Sequence, residues 1–291
     1  MEAGFNNTTY QTDYNNARNL TGHEDDIDMD YIHYVVTCIV ISIGLPLTLV
    51  TIYALFSLVR QGQVAPIYVI NLLISDIVQL CCMIVLVSNP ETPMTSTVQS
   101  FGVLSSVGFM VCISLERYLV IVHPLWYRFK RTIKISVAVC VVVWAFPPVC
   151  YLIVFPRVSD TVAFIVLSII LIIPFPLFIF FLVRTLRALS SSVSVHSDEK
   201  RRIVGLLVVV LLIYTLLFLP TIIRFLYEVA SFGSSMFFSM TSMVVSLSPL
   251  ADLLLYIFIR KQTMGNCLAS LCCCIEESND PTTSAVDVDD I

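Results

Sequence analysis

Apolar and polar positions along this chain separate on a long scale rather than a residue-by-residue one. Runs of about 20 mostly apolar residues, the length a helix needs to cross a hydrocarbon core, fall near residues 32–59, 65–87, 94–122, 133–156, 161–187, 202–229 and 236–259. This pattern predicts an all-α membrane protein, a seven-transmembrane helix bundle. Connections between the runs are short, and the long polar segments are residues 1–30 and 275–291, so no soluble domain fits between the spans. The expected organisation is a polar tail over 1–31, a bundle over 32–259, a membrane-surface helix over 260–270 and a second tail over 271–291. The run Phe258-Ile-Arg260-Lys261-Gln-Thr-Met264 has apolar and basic faces, which suits a short amphipathic eighth helix on the inner leaflet.

Composition agrees with the pattern. Of 291 residues 57% are hydrophobic and 13% charged, against about a quarter charged in soluble domains, so the lipid bilayer is the first expected partner. A net charge of -5 with no basic cluster outside the loops gives no reason to expect nucleic acid. The first thirty residues lack the charged-then-apolar prelude of a cleavable signal peptide, so the first span is expected to direct insertion itself.

Two independent signals orient the chain. The three Asn-x-Ser/Thr acceptors, Asn6, Asn7 and Asn19, cluster in the N-terminal tail, as expected of a glycosylated extracellular segment. Of 16 Lys and Arg, only Arg18, Arg157 and Arg224 fall on that side, and the other 13 fall opposite. A multi-pass plasma-membrane protein with its N-terminus outside and its C-terminus in the cytoplasm is expected. Cys38, Cys81, Cys82, Cys112, Cys140 and Cys150 lie in spans and the remaining cysteines in the C-terminal tail, so no structural disulfide is expected.

Ionisable groups inside a bilayer are costly and mark function. Asp76, Glu116, Arg117, Arg224 and Asp252 are the five in question. Asp76 lies mid-span in the second run and Asp252 in the inner half of the seventh. Two acids in one bundle want a cation between them. With Ser106 and Ser248 they outline a sodium or polar core holding Na+ or ordered water; the alternatives are one protonated acid or a satisfied core without an ion. No other metal and no other cofactor is suggested. Glu116-Arg117-Tyr118 closes the third run and precedes His123-Pro124-Leu125 and a basic loop. Alone, such a charged pair is ordinary interfacial anchoring.

With these residues the chain resembles the rhodopsin-like (class A) G-protein-coupled receptor family over residues 32 to about 274. Asn71 to Asp76 resembles the second-helix motif, Glu116-Arg117-Tyr118 the third-helix acid-Arg-Tyr motif, Trp144 the fourth-helix tryptophan and Pro174 the fifth-helix proline. Phe218-Leu219-Pro220 is similar to the sixth-helix aromatic-x-Pro hinge, and Asp252 with Tyr256 to the seventh-helix Asn/Asp-Pro-x-x-Tyr. The resemblance implies an activation switch of Glu116, Arg117, Tyr118, Phe218, Pro220, Asp252 and Tyr256. Arg117 would engage Glu116 at rest and a heterotrimeric G protein when active, while Pro220 lets the sixth helix swing outward. A proline removes one backbone hydrogen bond and locally weakens a helix; the alternative is a static kink.

The chain also departs from that pattern. Thr48 stands where the family has Asn, Leu253 where it has the seventh-helix proline, Leu182 where it has a tyrosine and Lys200 where it has an acid. Pro249 is a candidate for the missing kink. Asp76 and Arg117 stand 41 residues apart and Trp144 and Pro174 stand 30 apart, each shorter than the family norm, and the usual extracellular cysteine pair is absent. An open mouth and a chain lacking short segments fit this equally.

In the family's geometry a ligand pocket would be lined by Gln79, Met83, Gln99, Ser100, Val103, Thr221, Arg224, Phe225, Phe238 and Ser242. Arg224 suits a carboxylate, phosphate or sulfate; the alternatives are snorkelling or pairing with Glu228. The seventh span has no Lys for retinal, and Gln99 replaces an amine-binding acid. Phe218 and Asp252 lean toward the purinergic, lysolipid and proton-sensing branch, although only His23 and His33 are extracellular histidines. Cys267, Cys272, Cys273 and Cys274 are candidates for palmitoylation, and the acidic Ser/Thr tail for a receptor kinase and arrestin. The expected function is a receptor that binds an extracellular ligand, acidic, lipid-like or a proton, and activates a G protein. The alternative is a non-signalling relative or heteromer partner. A hydrolase is disfavoured because His23, His33, His123 and His196 all lie in tails or loops, and a transporter because the chain shows no internal repeat.

Overall fold

In hydrocarbon every backbone N–H and C=O must be satisfied within the segment, so apolar runs of this length fold as helices. The computed structural model describes residues 7–60, 67–89, 93–125, 127, 133–191, 197–230 and 235–256. Among them, seven helical stretches are long and apolar enough to cross a membrane: Tyr31–Phe56, Ile67–Ser88, Met94–Val122, Lys134–Ile153, Thr161–Ser190, Val204–Val229 and Ser239–Tyr256. These match the seven predicted runs, and no strand occurs among the described residues.

The helices are α1 (Asn7–Arg60), α2 (Ile67–Ser88), α3 (Pro93–Val122), α4 (Ile133–Val154), α5 (Asp160–Ile172), α6 (Pro174–Ser191), α7 (Ser197–Val229), α8 (Ser235–Ser246) and α9 (residues 248–256). α1 starts at Asn7, so much of the expected polar tail continues the first span as helix. The expected surface helix and C-terminal tail lie outside the described residues.

Two predicted spans are broken. The fifth divides at Ile173 into α5 and α6, because Pro174 and Pro176 supply no N–H for the carbonyls one turn back. The seventh divides at Leu247, where Leu247 N–H bonds Val244 O (3.2 Å) and Leu250 N–H bonds Leu247 O (3.1 Å) in tightened i−3 turns. Pro249 thus marks the kink expected of it.

The bundle is a ring. α1 packs on α2, α2 on α3, α3 on α6, α5 and α6 on α7, α7 on α8, and α8 back on α1, while α4 lies outside against α3 and α2. The main core joins Leu72, Leu73, Phe109, Met110, Tyr214, Phe218 and Leu255. Two glycines of α3 mark close approaches: a Cβ at Gly102 would stand 2.8 Å from Gln79 Cγ of α2, and one at Gly108 2.8 Å from Val143 Cγ1 of α4.

Candidate ligand cavity and polar core

Within the ring, the halves of α1, α2, α3, α5, α7 and α8 on the side of the N-terminal tail leave a cavity of about 740 Å³. Eight of the ten residues predicted for a pocket line it: Met83, Gln99, Ser100, Val103, Thr221, Arg224, Phe225 and Ser242. Gln79 does not. It is 2% exposed, and its Oε1 accepts a hydrogen bond from Ser248 Oγ (2.9 Å), which draws it into the polar core beneath the cavity. The Phe238 side chain lies outside the described residues. The structure adds His33, Tyr34 and Thr37 from α1 and Leu167 and Leu171 from α5. Counting turns from known landmarks in the middle of the bundle could not reach these, because the packing of α1 and α5 depends on partners far away in sequence.

Among the described residues the wall carries one arginine and no carboxylate. Arg224 rests on its neighbour's ring, with the guanidinium carbon 4.7 Å from the Phe225 centroid. Glu228, one turn further on α7, attracts it electrostatically. Both sequence readings of Arg224 therefore have a structural counterpart: it faces the cavity, and it has an acid alongside.

Below Phe218 the chemistry changes. Asp76, Ser106, Ser248 and Asp252 are all essentially inaccessible. Ser106 Oγ donates to Asp252 Oδ2 (3.0 Å), and the carboxyls of Asp76 and Asp252 lie within hydrogen-bond reach of each other. Neither oxygen of Asp76 and not Oδ1 of Asp252 finds a donor from the chain. Two facing buried carboxylates that share a single hydroxyl donor call for one positive charge between them. Ser248, expected beside Asp252, is committed to Gln79 instead. Among the described residues no group of three or more His, Cys, Asp or Glu could hold a metal ion, so a cation here would depend on two carboxylates and a hydroxyl.

The expected switch residues are spread over the inner half of the bundle. Glu116 Oε1 accepts from Tyr127 Oη (2.6 Å), a partner on a short helical turn that the sequence did not reveal. Tyr118 is buried, stacks on Phe181 (5.4 Å) and meets His123 edge-on (5.9 Å). Trp144 Nε1 donates to Asn71 Oδ1 (3.1 Å), tying α4 to α2. Phe218 packs 4.9 Å from Tyr214, whose hydroxyl donates to Leu171 O (2.5 Å) and so joins α7 to the end of α5. Tyr256 and Leu253 are buried in the main core. The six described cysteines, all within spans, are free thiols. Asn7 and Asn19 fall within α1 but their side chains are not described, and Asn6, Lys200, Cys267, Cys272, Cys273 and Cys274 lie outside what is described in side-chain detail.

A seven-span ring with a cavity on one side and an acid-Arg-Tyr sequence closing the third helix on the other invites comparison with known receptors. Residues 47–156 match the model of the 7 transmembrane receptor (rhodopsin family). Over these residues the chain is similar to the rhodopsin-like receptor family. The human G-protein coupled receptor 68 is 30% identical over 122 residues, which cover 38% of this chain and 33% of that protein. The Mas-related G-protein coupled receptor member X3 of Macaca mulatta is 30% identical over 118 residues, covering 38% and 36%. The type-1 angiotensin II receptor of Meleagris gallopavo is 30% identical over 120 residues, covering 36% and 33%. The chain thus spans about a third of the length of the curated relatives it matches. The expected resemblance is borne out, and the relatives are receptors, not enzymes. Seven apolar spans together with this family make the chain a multi-pass membrane protein.

Proposed function

We propose that the chain is a G-protein-coupled receptor of the plasma membrane, with its N-terminus outside, that binds an extracellular ligand in the 740 Å³ cavity and activates a heterotrimeric G protein. The observation that carries this reading is the course of α7. One part of it lines the cavity through Phe218, Thr221, Arg224 and Phe225, and the helix runs on continuously past Pro220, which lies inside it and supplies no N–H, toward the opposite face. A ligand pressing on Phe218 acts beside the weakest backbone point of the helix, so an outward swing of the inner half follows. Glu116, Arg117 and Tyr118 at the end of α3 are the expected G-protein contact. Arg224 in a largely apolar wall favours an acidic or lipid-like ligand.

The facing acids support a second element of the reading. Both oxygens of Asp76 and Oδ1 of Asp252, without donors among the described residues, together with the Ser106 hydroxyl oxygen, fit a bound Na+, and a proton shared between the acids would serve the same electrostatic need. Asp76→Asn should abolish sodium sensitivity of agonist binding; unchanged sodium dependence removes the cation from the reading. Glycans on Asn6, Asn7 and Asn19, palmitate on Cys267 and Cys272 to Cys274, and recognition of the tail by a receptor kinase and arrestin complete the proposal.

The non-signalling alternative keeps support from Leu253, buried in the main core where the family has proline. A second-messenger screen of the expressed chain against acid pH, nucleotides and lysolipids, run beside Arg117→Ala, separates the two. Ligand-driven activation that the substitution removes is expected. Equal basal and ligand-driven readouts in both proteins would favour the silent relative.

A further inference from the structure

The polar core contains a side chain that neither the receptor pattern nor the acid pair accounts for. Gln79 stands one turn from Asp76 on one side and one turn from Met83, a cavity residue, on the other. It reaches across the bundle to the seventh span, accepting from Ser248 Oγ at 2.9 Å. Ser248 is the first residue after the break at Leu247, and Ser246, just before it, lines the cavity. Pro249 follows at once and supplies no N–H, so the backbone here holds itself by weak i−3 bonds. The Gln79–Ser248 bond therefore braces the seventh span at its least supported point.

Gln79 is also held in place. Gly102 of α3 lies against its Cγ, so the side chain fills the space that any larger residue would need. Its Nε2 is buried and has no acceptor, while both oxygens of Asp76 are buried and have no donor. Helical side chains lean toward the N-terminal turn, which for Gln79 is the turn of Asp76. One amide thus faces two polar groups and satisfies only Ser248.

We propose that Gln79 is a positioning residue that latches the broken seventh span: its bond to Ser248 holds the outer segment α8 and the inner segment α9 in their resting alignment. Movement of the cavity wall at Ser246 frees the amide for Asp76. The latch connects cavity to acid pair through one side chain. Its switching role rests on the receptor reading above, whereas the latch itself does not.

Hydrogen–deuterium exchange of the purified full chain in lipid nanodiscs tests it. Gln79→Leu and Ser248→Ala should each raise exchange over residues 244–251 about tenfold, the factor that loss of one hydrogen bond gives. The double variant should show no more than either alone, and Ser248→Thr, which keeps the hydroxyl, should exchange like the wild type. Unchanged exchange in the single variants, or effects that multiply in the double, would overturn the latch. Should Gln79→Leu fail to fold, Ser248→Ala against Ser248→Thr carries the same decision. Basal G-protein activation is read in parallel: a rise in Ser248→Ala that Arg117→Ala cancels supports the switching role. Altered exchange with no activation in any variant leaves the latch standing and sinks the receptor reading.

Discussion

The outer cavity and the polar core lie end to end in the same ring, yet they treat polar groups in opposite ways. Around the cavity, three hydroxyls bond back into their own helices, Ser100 to Ser96 O, Ser246 to Ser242 O and Thr221 to Leu217 O, while Thr37 Oγ1 has no partner among the described residues. In the core, side chains bond across helices, Ser106 to Asp252 and Ser248 to Gln79, and still leave carboxylate oxygens and an amide without partners. Hydroxyls bonded within their own helices do not tie one wall helix to the next, so the wall can move when a ligand enters. A network with more acceptors than donors has more than one arrangement of similar energy. The cavity is therefore suited to recognition and the core to switching.

Adding bulk in each region gives the largest contrast. Gly102→Val places a side chain against Gln79 Cγ and should destabilise the protein by about 3 kcal/mol, the upper range for overpacking. Ser100→Val on the cavity wall should stay within about 0.5 kcal/mol. Thermal unfolding in matched detergent reads both, and equal losses would erase the distinction.

Charge sharpens the comparison next. If an acidic ligand pairs directly with Arg224, Arg224→Ala should weaken its binding by about 2 kcal/mol while leaving the melting temperature nearly intact. Unaltered affinity would assign Arg224 to Glu228 alone.

The boundary between the regions is the finest probe. Tyr214 is wholly buried and spends its hydroxyl on Leu171 O. Tyr214→Phe should cost about 1 kcal/mol of stability by stranding that carbonyl, and a neutral result in the same melting assay would mean that the bond is replaced by another.

The spans and part of the cavity wall were legible because a bilayer imposes one rule along the chain and helical periodicity then orders residues around each landmark. Met83, Val103 and Arg224 were reached by that counting. Gln79 was misplaced by it, since it counts as a cavity residue by turn and becomes a core residue only when Gly102 lets α3 close over it. Tyr127 was missed because the helical turn that carries it, bonded back to His123 O, is too short to leave a period in the sequence. The divided fifth span was signalled by Pro174, but not that the division falls at Ile173.

Length and hydropathy along the chain by themselves determined the seven helices, because the cost of placing backbone and charge in hydrocarbon is local and does not wait for a partner. Only the tertiary structure decided that Asp76 faces Asp252, that Gln79 reaches Ser248 and that His33 joins Arg224 on one wall. Those pairings depend on how closely two helices approach, which side-chain volume at distant positions such as Gly102 and Val143 sets.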